Sequence, residues 1–279
     1  MTLLQVPQSI IESNVFNALK EDIGDGDITA ELISPENISL ATVISRENCI
    51  FCGLDWFEET YRQIDNDILI DWFVDDGDQI EAEQIICTIS GSSRNIVTGE
   101  RTALNFVQTL SATATQSKKY ADKIKDTETK VLDTRKTIPG LRMAQKYAVS
   151  CGGCENHRIG LFDAYLIKEN HINACESIKN AIDEARFYNP ELKVEVEVEN
   201  LDELQQAIDA GTDRALLDNF DIDTLKQAVE ICEGKIISEA SGNITLDNIG
   251  EVAKTGVNFI STGALTKDIK AIDLSMRFD

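Results

Sequence analysis

Apolar and polar residues follow different periods in different parts of the chain. In residues 9–23 (SIIESNVFNALKEDI) the apolar side chains recur at helical spacing, whereas residues 39–48 and 68–92 have the pattern of extended strands. Residues 76–78 (DGD) lie between two apolar segments of the second extended stretch and predict a hairpin there. The chain to about residue 112 is therefore predicted to mix helix and strand.

From about residue 113 to residue 266, short apolar runs alternate with amphipathic segments, which predicts parallel strands joined by helices. The helical segments include residues 201–211 and 223–234, each ending in a glycine suited to a helix C-terminus. We expect any seventh or eighth strand near residues 112–125 or around His157. The six predicted strands are residues 130–133, 164–168, 193–198, 214–218, 235–239 and 258–261.

Polar and charged residues mark the point at which each predicted strand ends. In a βα barrel the carboxyl ends of the strands form the active-site face, so these side chains are expected to converge there. In residues 194–199 (VEVEVE), Glu195, Glu197 and Glu199 share one face and the valines the other. Glutamates that point into a barrel need cations or a metal to compensate their charge; an edge strand with one wet face is the alternative interpretation. The residues at or just beyond the strand ends are Asp133, Arg135, Lys168, Glu197, Glu199, Asp218, Glu239, Ser241, Ser261 and Gly263.

Composition narrows the class of protein. The 279 residues are 42% hydrophobic and 27% charged, as in a folded globular protein with one large domain or two smaller ones. The net charge of -23 disfavours nucleic acid and anionic membrane surfaces as partners. The first residues lack the pattern of a secretory signal and no apolar run is long enough to span a membrane, so we expect a cytoplasmic location. The seven cysteines are accordingly expected to be free thiols.

Cations are nonetheless concentrated between Arg135 and His171, a region that holds both histidines of the chain. It contains three motifs: residues 133–142 (DTRKTIPGLR), 152–160 (GGCENHRIG) and 166–171 (LIKENH). Arginine offers a planar fork for carboxylates, lysine a point charge for phosphate, and paired glycines let backbone amides approach an anion. The region is therefore predicted to bind a small substrate with several acid groups, and a solvated basic helix face is the alternative.

Taken together, these motifs resemble the quinolinate phosphoribosyltransferases, the carboxylating nicotinate-nucleotide diphosphorylases of NAD biosynthesis. DTRKTIPGLR followed by NHR and LIKENH is highly specific to this family, and the resemblance extends over nearly the whole chain. It implies an α/β fold with an incomplete, seven-stranded α/β barrel at residues 113–267 and an N-terminal α/β sandwich domain at residues 1–112, which residues 268–279 join. Further segments that carry the resemblance are EDIGDGDITA (21–30), TGERTALNF (98–106), VEVEVENLDEL (194–204), LLDNF (216–220), SEASGNI (238–244) and FISTGALT (259–266).

The resemblance also implies a reaction and its partners. Members of the family transfer phosphoribose from phosphoribosyl pyrophosphate to the ring nitrogen of quinolinate, with loss of the 2-carboxylate and with Mg²⁺ as cofactor. The products are nicotinate mononucleotide, pyrophosphate and carbon dioxide. The implied assembly is a homodimer with shared active sites, in which the N-terminal domain of one subunit helps close the barrel site of the other. The resemblance is also compatible with a higher oligomer.

Carried over position by position, the resemblance assigns roles to individual residues. Arg101 would reach across the dimer to a carboxylate of quinolinate, while Lys136 and Lys168 would serve phosphoribosyl pyrophosphate and charge balance. Glu197 and Asp218 would lie near the ribose hydroxyls and hold Mg²⁺, partly through the substrate. With the two lysines, these acids form the implied catalytic set. The dicarboxylate would be gripped by Arg135, His157 and Arg158. The other implied substrate-binding residues are Thr134, Ser241, Gly242, Ser261 and Gly263.

Three positions depart from the family's usual pattern. Cys154 stands where many relatives have glycine, Asn243 replaces a second glycine after Ser-Gly, and Lys267 occupies a position often held by histidine. We expect the first to stiffen its loop and the other two to adjust the 5′-phosphate pocket. None of the three removes a charged residue of the predicted site.

Two alternatives concern function. The first alternative is an enzyme with the same barrel but another acceptor, either a nicotinate phosphoribosyltransferase or one of the molybdenum-transport-linked paralogues. Nicotinate has a single carboxylate, so the many cations favour the dicarboxylate quinolinate. Outside these enzymes, the pairs Cys49/Cys52 and Cys151/Cys154 suggest a four-thiolate zinc site or redox pairs. The two pairs lie about a hundred residues apart, whereas structural zinc sites usually combine nearby pairs, so this alternative is less favoured.

Overall fold

The computed structural model describes residues 3–279. Within them, no helix is both long and apolar enough to cross a membrane. The helices are α1 (Gln8–Ile23), α2 (Leu54–Ile64), α3 (Ser93–Lys123), α4 (Arg142–Cys151), α5 (Glu169–Ala174), α6 (Ile178–Tyr188), α7 (Leu201–Asp209), α8 (Ile222–Cys232), α9 (Ile249–Ala253) and α10 (Ala264–Lys267), with a short 3-10 helix at Ala30–Leu32. The strands are β1 (Ile38–Ser45), β2 (Cys49–Ile50), β3 (Leu69–Trp72), β4 (Gln79–Ile80), β5 (Ile85–Ser92), β6 (Lys130–Leu132), β7 (Tyr165–Ile167), β8 (Val194–Val198), β9 (Arg214–Asp218), β10 (Ile237–Ser241), β11 (Phe259–Ser261) and β12 (Leu274–Phe278).

The chain divides into two compact units. The first contains the described residues up to Lys118, with Thr137–Gly153 and Leu265–Asp279. The second contains Lys119–Lys136 and Cys154–Ala264. The change from the first unit to the second thus occurs inside α3, six residues beyond the predicted boundary at residue 112.

Residues 137–153, which were predicted to belong to the barrel, are part of the first unit. The reason is the apolar face of α4, where Ala144 and Ala148 are fully buried in a core that also contains Val15 and Trp56. A helix buries its apolar face wherever a complementary surface exists, and sequence position does not determine which unit supplies that surface.

An antiparallel sheet in the order β12-β1-β5-β3 forms the centre of the first unit. In β1, Ala41, Val43 and Ser45 are buried and the residues between them are more exposed, as expected for a strand with one face on a core. Phe57 and Tyr61 of α2 are buried in the same hydrophobic cluster. Because β12 pairs with β1, the last strand of the chain completes this sheet.

The two apolar segments on either side of residues 76–78 pair as predicted, but through a wider connection than a tight hairpin. A tight turn is present, since Gly77 has a φ of 101° and the N–H of Asp78 donates to the carbonyl of Asp75 at 3.1 Å. The antiparallel partner of β3 is β5, from Leu69 opposite Ser90 to Trp72 opposite Cys87, whereas the short β4 between them pairs with β2. A pattern of apolar residues identifies strands but does not select their partners.

The second unit contains a parallel sheet in the order β6-β11-β10-β9-β8-β7. All six predicted strands form; β9 has the predicted bounds and the others differ by one or two residues at an end. The interpretation of residues 194–199 as a wet edge strand is contradicted, because β8 lies between β9 and β7. Val194, Val196 and Val198 are fully buried, so the glutamates lie on the other face.

A complete seventh parallel strand is absent from the described residues. Residues 112–125 lie in α3 and the turn after it. Near His157, Glu155 forms an isolated parallel bridge with Leu132, in which its N–H donates to Val131 at 2.8 Å and its carbonyl accepts from Asp133 at 3.1 Å. The second unit is therefore an α/β fold with six parallel strands and one bridge, preceded in the chain by the sheet-containing N-terminal unit.

Candidate active site

The second unit contains a cavity of about 350 Å³ at the carboxyl edge of its parallel sheet. This volume lies within the range of small-molecule binding sites. The lining includes every residue of the second unit to which the resemblance assigns a role, except Gly263, and it adds Leu166, Leu216 and Glu239. Of the residues expected to converge at the strand ends, Glu239 is in the lining, whereas Asp133 and Glu199 are not. Arg101 lies on α3 in the first unit, where its side chain is exposed and 3.7 Å from Glu100.

Parallel strands bring the polar lining residues together. Asp218, Ser241 and Ser261 are the last residues of β9, β10 and β11, and Lys168 directly follows β7. Glu197 is the penultimate residue of β8. Because neighbouring strands run in the same direction, their carboxyl ends meet at one edge, which is the active-site edge of α/β barrels.

Two arginines give the cavity a strongly cationic side. Arg135 and Arg158 line the same cavity, and burial followed by the positive charge of Arg135 lowers the pKa of Arg158. Arg158 is held in place by a hydrogen bond from Nη1 to the carbonyl of Ala164 at 3.0 Å. A bound anion would relieve the repulsion, and a guanidinium fork matches a carboxylate, so this side of the cavity suits an acidic substrate.

His157 has a ring orientation fixed from both sides. Its Nδ1 accepts the N–H of Arg158 at 2.8 Å, and its Nε2 lies 2.9 Å from Oε2 of Glu195 and 3.6 Å from Oε1 of Glu239. Burial lowers the pKa of His157, but the hydrogen bond to Glu195 and the charges of Glu239 and Glu195 outweigh it, so the pKa is raised overall. The backbone N–H of His157 donates to Asp133, which is fully buried, at 2.9 Å. The contacts on both ring nitrogens and on the backbone therefore hold His157 in one orientation in the cavity.

Glu239 is the main residue of this network that motif matching missed. Its side chain is fully buried, and its Oε2 accepts a hydrogen bond from Nη1 of Arg214 at 2.9 Å. The guanidinium of Arg214 lies 4.6 Å from the centroid of the Phe259 ring. Burial, followed by the negative charge of Glu195, raises the pKa of Glu239 to about 7. The only signal in the sequence is its position at the end of a predicted strand.

Leu166 and Leu216 give the cavity an apolar part that the sequence analysis also missed. Each lies within a parallel strand, where an apolar residue is predicted to belong to the hydrophobic core. An apolar patch beside charged groups is typical of sites that bind an aromatic ring carrying acid groups.

Cations compensate the two glutamates of β8, as expected for glutamates that face into the site. Glu195 lies beside His157, and Glu197 forms an ion pair with Lys168. Asp218, the second acid of the predicted pair, accepts a hydrogen bond from Nδ2 of Asn219 at 2.8 Å. Glu197 and Asp218 line the same cavity, and carboxylate oxygens are the donors that Mg²⁺ prefers, so this pair fits the ion that the family resemblance implies.

The loop after β10 requires glycine at position 242. Its φ is 91°, and a Cβ atom would lie 2.2 Å from Oδ1 of Asn219. Asn243 follows with a φ of 52° and donates from Nδ2 to the same oxygen at 3.0 Å. Asparagine tolerates this left-handed conformation better than most residues, which explains how it replaces the usual glycine.

Gly263, although outside the lining, borders one of its lysines. A Cβ atom at this position would lie 2.9 Å from Cδ of Lys136. Lys267, the other departure near the predicted phosphate pocket, forms an ion pair with Asp268 at 2.8 Å and belongs to the first unit.

The cysteines do not form the four-thiolate zinc site considered above. All seven are free thiols, and no metal-compatible cluster of the described residues contains more than two of them. Cys154 is 1% exposed, and burial followed by the charge of Asp133 raises its pKa to about 12. Its thiol stays protonated and unreactive near neutral pH, so Cys154 fills space where relatives often have glycine.

Fold and site together define a class: an α/β protein whose parallel sheet presents paired arginines, lysines and acids to a small polyanionic substrate. The family profile "Quinolinate phosphoribosyl transferase, C-terminal domain" matches residues 113–277, and the N-terminal domain profile matches residues 27–111. The chain therefore belongs to the quinolinate phosphoribosyltransferase family.

Individual relatives agree with this assignment. The chain is 39% identical over 257 residues to a probable nicotinate-nucleotide pyrophosphorylase [carboxylating] of Bacillus subtilis, an alignment that covers 92% of this chain and 89% of the relative. It is similar to the solved nicotinate-nucleotide pyrophosphorylase of Francisella tularensis with a TM-score of 0.96 and 50% identity, covering 99% of this chain and 98% of that one. Human nicotinic acid phosphoribosyltransferase, with a TM-score of 0.62 and 10% identity over 99% of this chain and 74% of that one, shares the fold alone.

Proposed function

We propose that the cavity of the second unit catalyses the reaction of this family in de novo NAD biosynthesis. Phosphoribose passes from phosphoribosyl pyrophosphate to the ring nitrogen of quinolinate, the 2-carboxylate leaves as carbon dioxide, and nicotinate mononucleotide and pyrophosphate are released. The observation that carries this proposal is the presence, in one cavity, of the arginine pair Arg135 and Arg158 and the acid pair Glu197 and Asp218. A dicarboxylate needs the first pair, and a ribosyl donor needs the second.

The arginine pair binds the two carboxylates of quinolinate. Each guanidinium offers a fork of donors to one carboxylate, and the anion removes the repulsion between Arg135 and Arg158. Both ring nitrogens of His157 already have partners within the protein, so we infer that this residue positions the adjoining Arg158 rather than donating a hydrogen bond to the substrate. A monocarboxylate such as nicotinate would satisfy only one of the two arginines.

The phosphoribosyl group lies among the lysines and the strand-end loops. Lys136 and Lys168 supply charge for its phosphates, while the loop at Ser241 and Gly242 offers backbone amides to the 5′-phosphate. Thr134, Ser261 and Gly263 complete this side of the site. Fixing both substrates in one orientation removes much of the entropic cost of a bimolecular step.

Ribosyl transfer develops positive character at the anomeric carbon. Glu197 and Asp218 stabilise that charge by their own negative charges and orient the ribose hydroxyls. When Mg²⁺ is bound, the same two carboxylates would hold it, and the ion offsets the negative charge of the departing pyrophosphate. The ion pair with Lys168 holds Glu197 in position before the substrate binds.

Decarboxylation needs little proton chemistry from the protein. Ribosylation makes the ring nitrogen cationic, and this charge stabilises the electron pair that stays on C2 when the 2-carboxylate leaves as carbon dioxide. A proton from solvent then binds to C2 and completes the product. The chain's contribution is to hold the ring in one orientation. The arginine pair binds the 3-carboxylate, and Leu166 and Leu216 provide an apolar surface for the ring.

The proposed assembly is a homodimer in which Arg101 of one subunit completes the site of the other, and the proposed location is the cytoplasm. Mixing two inactive variants tests the assembly. Arg101→Ala and Arg158→Ala each lose activity alone, but a mixed dimer contains one site with both arginines. Random pairing restores about a quarter of the wild-type activity if the site is shared, because a two-fold dimer has two such sites. No recovery after verified subunit exchange contradicts the shared site.

The reaction itself is tested by incubating the purified chain with quinolinate, phosphoribosyl pyrophosphate and Mg²⁺ and measuring nicotinate mononucleotide by chromatography. Glu197→Gln and Asp218→Asn should reduce turnover strongly, while Glu184→Gln, an exposed position on α6, serves as the matched control. Turnover with nicotinate and ATP but none with quinolinate would show that the acceptor is wrong.

A further inference from the structure

The first unit brings together one cysteine from each of the two Cys-x-x-Cys pairs. Sγ of Cys52, Sγ of Cys151 and a carboxylate oxygen of Asp76 all lie within 4.8 Å of one another. The cluster is formed by residues far apart in sequence: the segment before α2, the turn after β3 and the end of α4.

The carboxylate of Asp76 is held in a defined orientation. Its Oδ1 accepts the backbone N–H groups of Gly53 at 2.8 Å and Leu54 at 3.2 Å, and its Oδ2 accepts the hydroxyl of Tyr147 at 2.8 Å. A carboxylate oxygen has two lone-pair sites, so Oδ2 keeps one for a further partner. Outer hydrogen bonds of this kind are what orient the carboxylate ligands of metal ions in proteins.

Cys52 is equally constrained. Its backbone N–H donates to Oγ of Ser111 at 3.0 Å, and that hydroxyl donates back to the carbonyl of Cys52 at 3.2 Å. Cys52 is fully buried, whereas Cys151, at the last position of α4, is partly exposed. The exposed side at Cys151 gives a small ion a path to the cluster.

We propose that Cys52, Cys151 and Asp76 form a binding site for a divalent transition-metal ion of the zinc type. Two sulfur donors disfavour Mg²⁺ and Ca²⁺, which take oxygen ligands, and favour Zn²⁺ and its chemical relatives. On a tetrahedral zinc ion two thiolates lie about 3.8 Å apart and a thiolate and a carboxylate oxygen about 3.5 Å apart, so the observed cluster needs a contraction of at most about 1.3 Å. Binding releases the two thiol protons to solvent, and a water molecule takes the fourth position.

Cobalt(II) alone, added to the full reduced chain, tests the site by absorption spectroscopy. We expect one equivalent to produce the near-ultraviolet band of charge transfer from thiolate to cobalt, with intense visible bands typical of four-coordination. Cys52→Ser and Cys151→Ser should each abolish the charge-transfer band of the site. Cys154→Ser should leave it unchanged, and this variant separates the proposed site from simple chelation by the Cys151/Cys154 pair. A band that survives in Cys52→Ser, or no band in the wild-type protein, overturns the proposal.

A measurement on the wild-type chain avoids dependence on variants that fail to fold. X-ray absorption at the zinc edge, with one equivalent of Zn²⁺, should show two sulfur neighbours at about 2.3 Å and two lighter neighbours. A shell without sulfur, or with four sulfurs, contradicts the site. Neither experiment uses the enzymatic reaction, so failure here leaves the proposed function untouched, and the converse also holds.

Discussion

Replacing Glu239 by glutamine isolates the charge of a carboxyl that is fully buried beneath the proposed quinolinate site. The amide keeps the shape of the side chain and leaves one oxygen to accept the hydrogen bond from Arg214, which is 2.9 Å away in the wild-type protein. It cannot ionise. A difference between the two proteins that changes with pH therefore reports the titration of Glu239 together with that of His157, whose pKa depends on the charge of Glu239.

The sign and size of the effect follow from the pKa. Burial and the charge of Glu195 raise the pKa of Glu239 from 4.5 to about 7. A group whose pKa is raised in the folded state contributes stability below its unfolded pKa and loses that contribution as the pH rises through the folded value. The wild-type protein should thus lose up to about 3 kcal/mol of unfolding free energy between pH 4.5 and pH 7.5, relative to Glu239→Gln.

Chemical denaturation at half-unit steps from pH 5 to pH 8 measures this difference, with Glu184→Gln as the control for an exposed glutamate. As the pH rises, we expect the unfolding free energy of the wild-type protein to fall relative to that of Glu239→Gln. The difference between the wild-type protein and the control Glu184→Gln should stay constant over the same range. An independent readout is the NMR titration of His157, one of only two histidines in the chain. Glu239 helps to raise the pKa of His157, so the titration should move to lower pH in the variant. If the unfolding free energies of the wild-type protein and Glu239→Gln changed in parallel with pH and the His157 titration were the same in both, the proposed coupling between Glu239 and His157 would be refuted.

Three further predictions concern single positions. Gly242→Ala should cost about 1 to 3 kcal/mol and raise KM for phosphoribosyl pyrophosphate, because a Cβ there meets Asn219 at 2.2 Å and φ is positive; Gly211→Ala has a similar φ of 84° in open space and is the control. A KM that rises equally in both variants would contradict the phosphate role. Arg158→Lys should raise KM for quinolinate by about tenfold or more through the lost fork, worth about 1.5 to 3 kcal/mol, with KM for the other substrate nearly unchanged; equal KM values would argue against the clamp. Cys154 should resist thiol reagents in the native state, since it is 1% exposed, whereas the partly exposed Cys175 should react, and peptide mapping of the labelled protein distinguishes the two.

The sequence pattern predicted the parallel sheet well because each strand is a short apolar run followed by polar residues. Such runs identify a buried strand whatever its neighbours are, and all six strands were located on that basis. The same logic placed Lys168, Glu197, Asp218 and Ser241 at one edge of the sheet, and they line one cavity. Their assigned roles stay predictions.

Long-range pairing could not be predicted in the same way. The residues around Gly77 have the local signal of a hairpin, and β3 does pair with β5, but nothing local shows that the short β4 between them pairs with β2. Glu239 and His157 are separated by most of the second unit's sequence, and only the folded sheet brings them to 3.6 Å. Equally, nothing local shows that Cys52 and Cys151 meet, since each has a nearer cysteine in sequence.

The fate of the two carboxylates of quinolinate distinguishes a decarboxylating transfer from any other reaction of the cavity. Two samples are prepared, one labelled with carbon-13 in the 2-carboxylate and one in the 3-carboxylate, and each is incubated with the purified chain, phosphoribosyl pyrophosphate and Mg²⁺. The label should appear in carbon dioxide only from the first sample and in nicotinate mononucleotide only from the second. Retention of both carboxylates in a product, or the absence of any nucleotide from quinolinate, would contradict the account.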